Sequence, residues 1–187
     1  MERVQLGPLP ALATGNGPPL LYLGGLLPNA GVDGRLAQRS AELSARPLAG
    51  VRRVLYTNRR SGLASGTTMA DLAREHAEAI DTLGAGPVCC AMLPPVETPI
   101  TSAGDLSDLA ATIEAEDAFD LARCVGAITA PTLIAVGSRD RFYPRQLLEE
   151  TQQLIPGSVL LRIPRRGHLT VMAAPRLTAT MRGFLTG

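Results

Sequence analysis

The sequence has no lysine and no tryptophan; all 18 basic residues are arginine, and aromatic side chains make up 3% of its 187 residues. So few rings remove the stacking platforms of single-strand nucleic-acid binders and the aromatic walls of many sugar sites. An excess of one charge is missing too. Eighteen basic residues face 17 acidic ones for a net charge of +1, and the arginines are scattered singly or in pairs such as Arg59 and Arg60. That pattern excludes a nucleic-acid footprint. Cysteine is scarce: Cys89, Cys90 and Cys124 form an odd count with one vicinal pair, which is neither a disulfide framework nor a zinc-ligand spacing. No apolar run approaches the length of a membrane span, and Met1-Glu2-Arg3 followed by a proline-broken stretch does not read as a secretory leader. The expected location is therefore the cytoplasm, with neither membrane nor nucleic acid as a partner. There is no internal repeat, no G-x-G-x-x-G and no Walker pattern, so neither a nucleotide cofactor nor a metal is expected.

What is present is a core-forming composition, 45% hydrophobic, in a chain of one domain's length. Two strings organise it. In APTLIAVGSRDRFY, residues 130–143, the apolar run Thr132–Val136 is closed by Gly137 and followed by Asp140. A buried parallel strand delivers an acid to the rim of its sheet in this way. In the second string the apolar run Val159–Ile163 breaks at Pro164, and His168 follows directly after Gly167. Two neighbouring strand ends would present a carboxylate and an imidazole. Such a pair holds the imidazole in one tautomer and stabilises its protonated form, so that its other nitrogen can take a proton from a nucleophile.

Elsewhere the elements follow from period and punctuation. Residues 3–14 alternate weakly and read as short edge strands, with a turn over Gly15–Pro19 and a buried strand at Leu20–Leu23 that runs into a glycine-rich loop. Arg35–Ala45 reads as an amphipathic helix with Leu36, Ser40 and Leu43 along one face, and Val51–Tyr56 as the next strand. A helix over 68–83 starts at Thr68 and Asp71, carries Met69, Leu72, His76, Ile80 and Leu83 on its apolar stripe, and stops at Gly84. His76 on that stripe reads as a packed histidine. Residues 144–155 make a helix with Pro144 in its first turn and Leu147, Leu148, Thr151 and Leu154 facing inward; Pro175 opens the last helix, with Leu177, Met181 and Phe184 on its face.

The run PTLIAVGSRD, a following proline, a helix, a strand and then Gly-His resembles the C-terminal third of the α/β-hydrolase superfamily. The resemblance implies an α/β fold with a doubly wound, mostly parallel sheet, in which Asp140 is the triad acid and His168 the triad base. It also implies that the loop after Leu20–Leu23 supplies an oxyanion amide, at Gly25 and Leu26, where Gly24-Gly25 stands in place of the usual histidine-glycine pair. A backbone N–H aimed at a developing negative oxygen is all such a site needs.

One block of the family pattern is missing. The nucleophile elbow, G-x-S-x-G, occurs nowhere in the chain; GLASG at 62–66 has Ala64 at its centre, so Ser65, like Ser61, reads as a turn residue. Where the elbow belongs the chain runs VCCAMLPPVETPITSAGD, whose prolines at 94, 95 and 99 would stop the elbow's helix. The expected fold is therefore a single hydrolase-like domain over 1–187 that lacks the central nucleophile strand and a neighbour. Its N-terminal half is 1–88, its irregular junction 89–105, and its C-terminal half, with acid and base, 106–187. The Leu20–Leu23 strand should pair across the gap with VCCAML or with the Thr132 strand, rejoining the two half-sheets.

The implied activity is hydrolysis of a small ester-like or amide-like carbonyl substrate, with no nucleophile identified. Cys89 or Cys90 could serve as a thiolate beside the histidine, or could simply be small buried side chains. The alternative is a non-catalytic or internally deleted relative acting as a binding module, with self-association through an exposed sheet edge as a further expectation.

Overall fold

The computed structural model describes residues 1–24, 31–84, 89–92, 103–168 and 170–186. Its first turn shows how local chemistry sets topology: Gly7 adopts φ 54°, which no β-branched residue would tolerate cheaply, and with Pro8 it folds the chain back on itself. The result is an antiparallel hairpin of β1 (Glu2–Leu6) and β2 (Leu9–Thr14), in register from Glu2 opposite Ala13 to Leu6 opposite Leu9. β2 is not an edge strand, as its weak alternation suggested. It also pairs antiparallel with β4 (Arg53–Thr57), so that both its sides are hydrogen bonded and Leu9 and Ala11 are fully buried.

β3 (Pro19–Leu23) lies parallel to β4 on one side and to β5 (Cys89–Met92) on the other, giving the order β1-β2-β4-β3-β5. The expected pairing of the Leu20–Leu23 strand with the cysteine-bearing segment is thus found, Leu20 opposite Cys89 and Leu23 opposite Met92. The expected rejoining into one sheet is not. Among the described residues β6 (Leu133–Gly137) and β7 (Val159–Ile163) form a second, two-stranded parallel sheet of their own.

The chain divides into two compact units, Met1–Phe119 and Asp120–Gly187. In the first, Leu6, Leu9, Ala11, Leu21 and Leu55 of the sheet pack with Ala79 of α2 (Met69–Asp81). Each such leucine contributes roughly 1.5–3 kcal/mol of burial. α2 opens on a complete capping box, Thr68 accepting from the Asp71 amide while the Asp71 carboxylate accepts from the Thr68 amide, and Gly84 lies just beyond its end at φ 81°. α1 (Arg35–Ala45) buries Ala41 and Ala45, whereas Leu43 is 63% exposed. The face expected from Leu36, Ser40 and Leu43 is thus corrected at Leu43, with Ala41 and Ala45 turned inward; the side chains of Leu36 and Ser40 lie outside the description. α3 (Ala103–Asp117) adds Ala111 to a cluster with Leu63 and Leu72. From this helix Asp108, buried, accepts from the amides of Gly62 and Leu63 at 3.0 and 2.7 Å, tying down the turn after β4.

In the second unit the apolar cluster is Ile163 of β7 with Val171, Ala174 and Leu177, the last on α5 (Pro175–Thr186). α4 (Arg145–Leu154) contributes no buried residue: Leu147 and Leu154 are exposed, and the expected inward face survives only as half-buried Leu148 and Thr151. A sheet of two strands offers a helix too narrow a surface to cover a whole stripe.

Candidate active site

The site is built on the C-terminal ends of β6 and β7, which the parallel register brings side by side at Gly137 and Ile163. The chain beyond β6 is fastened to the chain beyond β7 by backbone contacts. The Ser138 amide donates to Ile163 O at 2.9 Å and the Arg139 amide to Arg166 O at 2.8 Å. Ser138 Oγ accepts from the Arg165 amide at 2.9 Å. Arg165 needs that tether, because its φ of 60° puts a non-glycine residue in the left-handed region, at a cost of about 1 kcal/mol. Gly137 is glycine for a steric reason. A Cβ there would stand 2.2 Å from Arg166 O and 2.8 Å from Gly167 O, so only a residue without a side chain lets the two strand ends approach this closely.

Asp140 and His168, 28 residues apart, meet at this junction with Nδ1 of the imidazole 2.9 Å from Oδ2 of the carboxylate. Both side chains are largely withdrawn from solvent, the carboxylate at 4% and the imidazole at 11% exposure. Asp140 Oδ1 is occupied separately, accepting from the amides of Phe142 and Tyr143 at 2.9 and 3.2 Å. Burial pushes the Asp140 carboxyl up, but the hydrogen bonds from His168 and the two amides outweigh it and leave the group below its ordinary value. The carboxylate is thus an acceptor only, so Nδ1 carries a proton and donates to it; in a neutral imidazole the lone pair then lies on Nε2. Two rings flank the imidazole. Phe142 lies 4.7 Å and Tyr143 5.5 Å from it between centroids, both tilted, and Phe142 is nevertheless 73% exposed.

Of the residues expected from the sequence, the structure brings together Asp140 and His168. Gly25 and Leu26 lie outside the described residues; of the residues on either side, Gly24 N donates to Thr57 O at the end of β4 at 2.8 Å and Gly31 N to Arg59 O at 2.7 Å. A side chain at Gly24 would meet the Tyr56 hydroxyl at 2.9 Å. The thiols of Cys89 and Cys90 are likewise outside the description. Ser61 and Ser65 are exposed turn residues. His76, half-buried on α2, bonds through Nδ1 to Leu72 O at 2.7 Å within its own helix, as a packed histidine does. Among the described residues no group of His, Cys, Asp and Glu could hold a metal ion, and no helix is long and apolar enough to cross a membrane. Sequence reasoning passed over Phe142, Tyr143 and Gly137. The signal for the rings was available: in a chain this poor in aromatics, two stand side by side two residues after the acid.

This chain has the α/β-hydrolase fold. It superposes on the enol-lactonase from Burkholderia xenovorans LB400 with a TM-score of 0.75, 16% identity and 100% of both chains covered. A thermophilic esterase from Thermogutta terrifontis matches with a TM-score of 0.72 and 19% identity over 100% of this chain and 98% of that one. A serine hydrolase involved in carbazole degradation matches at 0.74 and 14%, over 99% and 98%. No protein-family model matches the sequence, and no curated protein is similar to it by sequence.

Proposed function

We propose that the protein acts on an ester-like or amide-like carbonyl substrate, with His168 as the general base and Asp140 as the acid that orients it. The observation that carries this is the 2.9 Å contact of Nδ1 with a carboxylate whose other oxygen is already held by two amides. Such a carboxylate cannot swing away, and it stabilises the imidazolium that forms when Nε2 takes a proton. The exposed ring of Phe142 beside the imidazole favours an uncharged, partly apolar group on the substrate. That proteins of the same fold are named as an esterase, an enol-lactonase and a serine hydrolase agrees with this class of reaction. The group that loses its proton to Nε2 is not assigned, since the chain has no G-x-S-x-G. The oxyanion amide at Gly25 and Leu26 belongs to the same proposal, as does the treatment of 1–187 as one hydrolase-like domain interrupted at 89–105.

The absence of an elbow serine favours a second reading, in which the chain is a non-catalytic relative that binds through the same fold. Turnover of p-nitrophenyl acetate separates the two. Hydrolysis that falls at least about tenfold in His168→Ala and again in Asp140→Asn supports the acid–base reading. Hydrolysis unchanged by both substitutions, or none above the buffer rate, leaves only the binding module.

A further inference from the structure

Away from that pair, in the first unit, a groove of about 620 Å³ runs between α1 and the start of the β1–β2 hairpin. Arg3, Arg35, Arg39 and Arg46 line it, with Glu42 as the one carboxylate and Leu12, buried, in its floor. The chain as a whole is nearly neutral at +1, so four guanidinium groups around one concavity are a local concentration and not a share of a general excess. Among the described residues Arg35, Arg39 and Arg46 form no ion pair with a carboxylate, and Arg3 is engaged by Asp33. α1 adds to the field: its N-cap is Gly34, with no side-chain cap and no acidic residue in the first turn, and Asp33, just before the cap, is engaged by Arg3.

The spacing says what would fit. Positions 35 and 39 of α1 and its C-cap, Arg46, which keeps helical backbone angles, fall on one stripe, separated along the axis by about 6 and about 10 Å at 1.5 Å per residue. A single carboxylate or phosphate can be gripped by one fork, but only a ligand with several such groups can engage the stripe. A volume of this size accommodates a small molecule. We propose that this groove binds a small polyanion, a molecule carrying two or more carboxylate or phosphate groups, held by Arg35, Arg39 and Arg46, with Glu42 limiting its affinity.

Calorimetric titration of the full chain tests this, with citrate as the carboxylate probe and inorganic tripolyphosphate as the phosphate probe, at low and at near-physiological salt. One-to-one binding of either probe is expected, weakening as salt rises. The probe that binds more tightly identifies which anionic group the groove prefers. The triple variant Arg35→Gln, Arg39→Gln, Arg46→Gln, all on an exposed helix face, should lower affinity by at least about tenfold. Glu42→Gln should raise it by about threefold, an increase that no loss of structure would produce. If the triple variant does not melt like the parent protein, Arg39→Gln alone serves in its place. The proposal is overturned if neither probe binds or if Glu42→Gln fails to tighten binding. It is also overturned if an equal loss follows from the control triple Arg74→Gln, Arg123→Gln, Arg145→Gln, which removes the same charge outside the groove.

Discussion

Gly137→Ala is the smallest change that tests how the acid and base are brought together. Two effects of opposite sign compete. Gly137 lies in a strand with ordinary φ, so alanine would restrict the unfolded chain and on that ground alone stabilise by roughly 0.4–1 kcal/mol. Against this, the new methyl group would stand 2.2 Å from Arg166 O and 2.6 Å from its carbonyl carbon. These are backbone atoms and cannot rotate away, so the 166–167 segment must retreat by about 1 Å, an overpacking that costs roughly 1–3 kcal/mol. The retreat lengthens the 2.8 Å bond from the Arg139 amide to Arg166 O. If His168 moves with its neighbours, the 2.9 Å contact with Asp140 opens beyond hydrogen-bonding range as well. Loss of a bond to a charged group adds about 1.5–3 kcal/mol. The steric side wins, with a net destabilisation of roughly 2–4 kcal/mol by urea unfolding. In the proton NMR spectrum a resonance of the Nδ1 proton of His168 is expected for the parent protein and should vanish in the variant. Gly183 is the control: it sits inside α5 with nothing within 4 Å of where its Cβ would be, and Gly183→Ala should stabilise by about 0.5–1 kcal/mol. A Gly137→Ala protein that is as stable as its parent and keeps the Nδ1 proton would refute the steric argument.

Three further outcomes are expected. Because the folded-state pKa of Asp140 lies below the ordinary 3.8, its ionised form stabilises the fold above that value, and the contribution is lost as pH falls through the lowered pKa. The stability difference between the parent protein and Asp140→Asn should therefore hold steady down to about pH 5 and shrink below about pH 4, and parallel curves throughout would contradict it. Asp108→Ala leaves the amides of Gly62 and Leu63 without their acceptor, and should cost about 3 kcal/mol in urea unfolding; a loss under about 1 kcal/mol would show that the turn re-forms its bonds elsewhere. If β5, which ends the five-stranded sheet among the described residues, offers its outer edge to a second copy, light scattering should show a dimer that forms with rising concentration, and a monomer at every concentration would exclude that interface.

How much was legible in the sequence depended on whether an element's form is set by its own residues or by distant partners. β7 was read to its residue bounds and β3 and β6 to within one residue, because an apolar run closed by glycine or proline carries its own ends. The capping box of α2 was equally plain, since Thr68 and Asp71 are local partners. The pairing of Asp140 with His168 followed from two strand ends of the same pattern. What could not be read was packing that depends on distant partners. The face of α4 was taken from its period, but a helix buries a stripe only where a sheet lies beneath it, and Leu147 and Leu154 remain exposed. β2 looked like an edge because its alternation is weak; it is interior, and residues covered on both faces need not alternate. Gly137's close approach and the amides of Phe142 and Tyr143 involve backbone atoms, which leave no mark in side-chain chemistry.

That last point accounts for how an acid–base pair can be complete beside a sheet that is not. In the second unit Val159, Leu147 and Leu154 carry apolar side chains into solvent, at 52%, 47% and 45% exposure. A two-stranded sheet is too narrow to cover them. The contacts that hold Asp140 and His168 make no use of sheet width. They run from the end of one strand to the end of the next: Ser138 N to Ile163 O, Arg139 N to Arg166 O, Arg165 N to Ser138 Oγ, and two consecutive amides to Asp140 Oδ1. All are local to the β6–β7 pair, and the cluster of Ile163, Val171, Ala174 and Leu177 packs beneath it. The pair's geometry therefore depends on the two strand ends and the cluster beneath them, not on the width of the sheet. Substitutions that empty this small cluster should disturb the imidazole more than any change on the exposed strand faces.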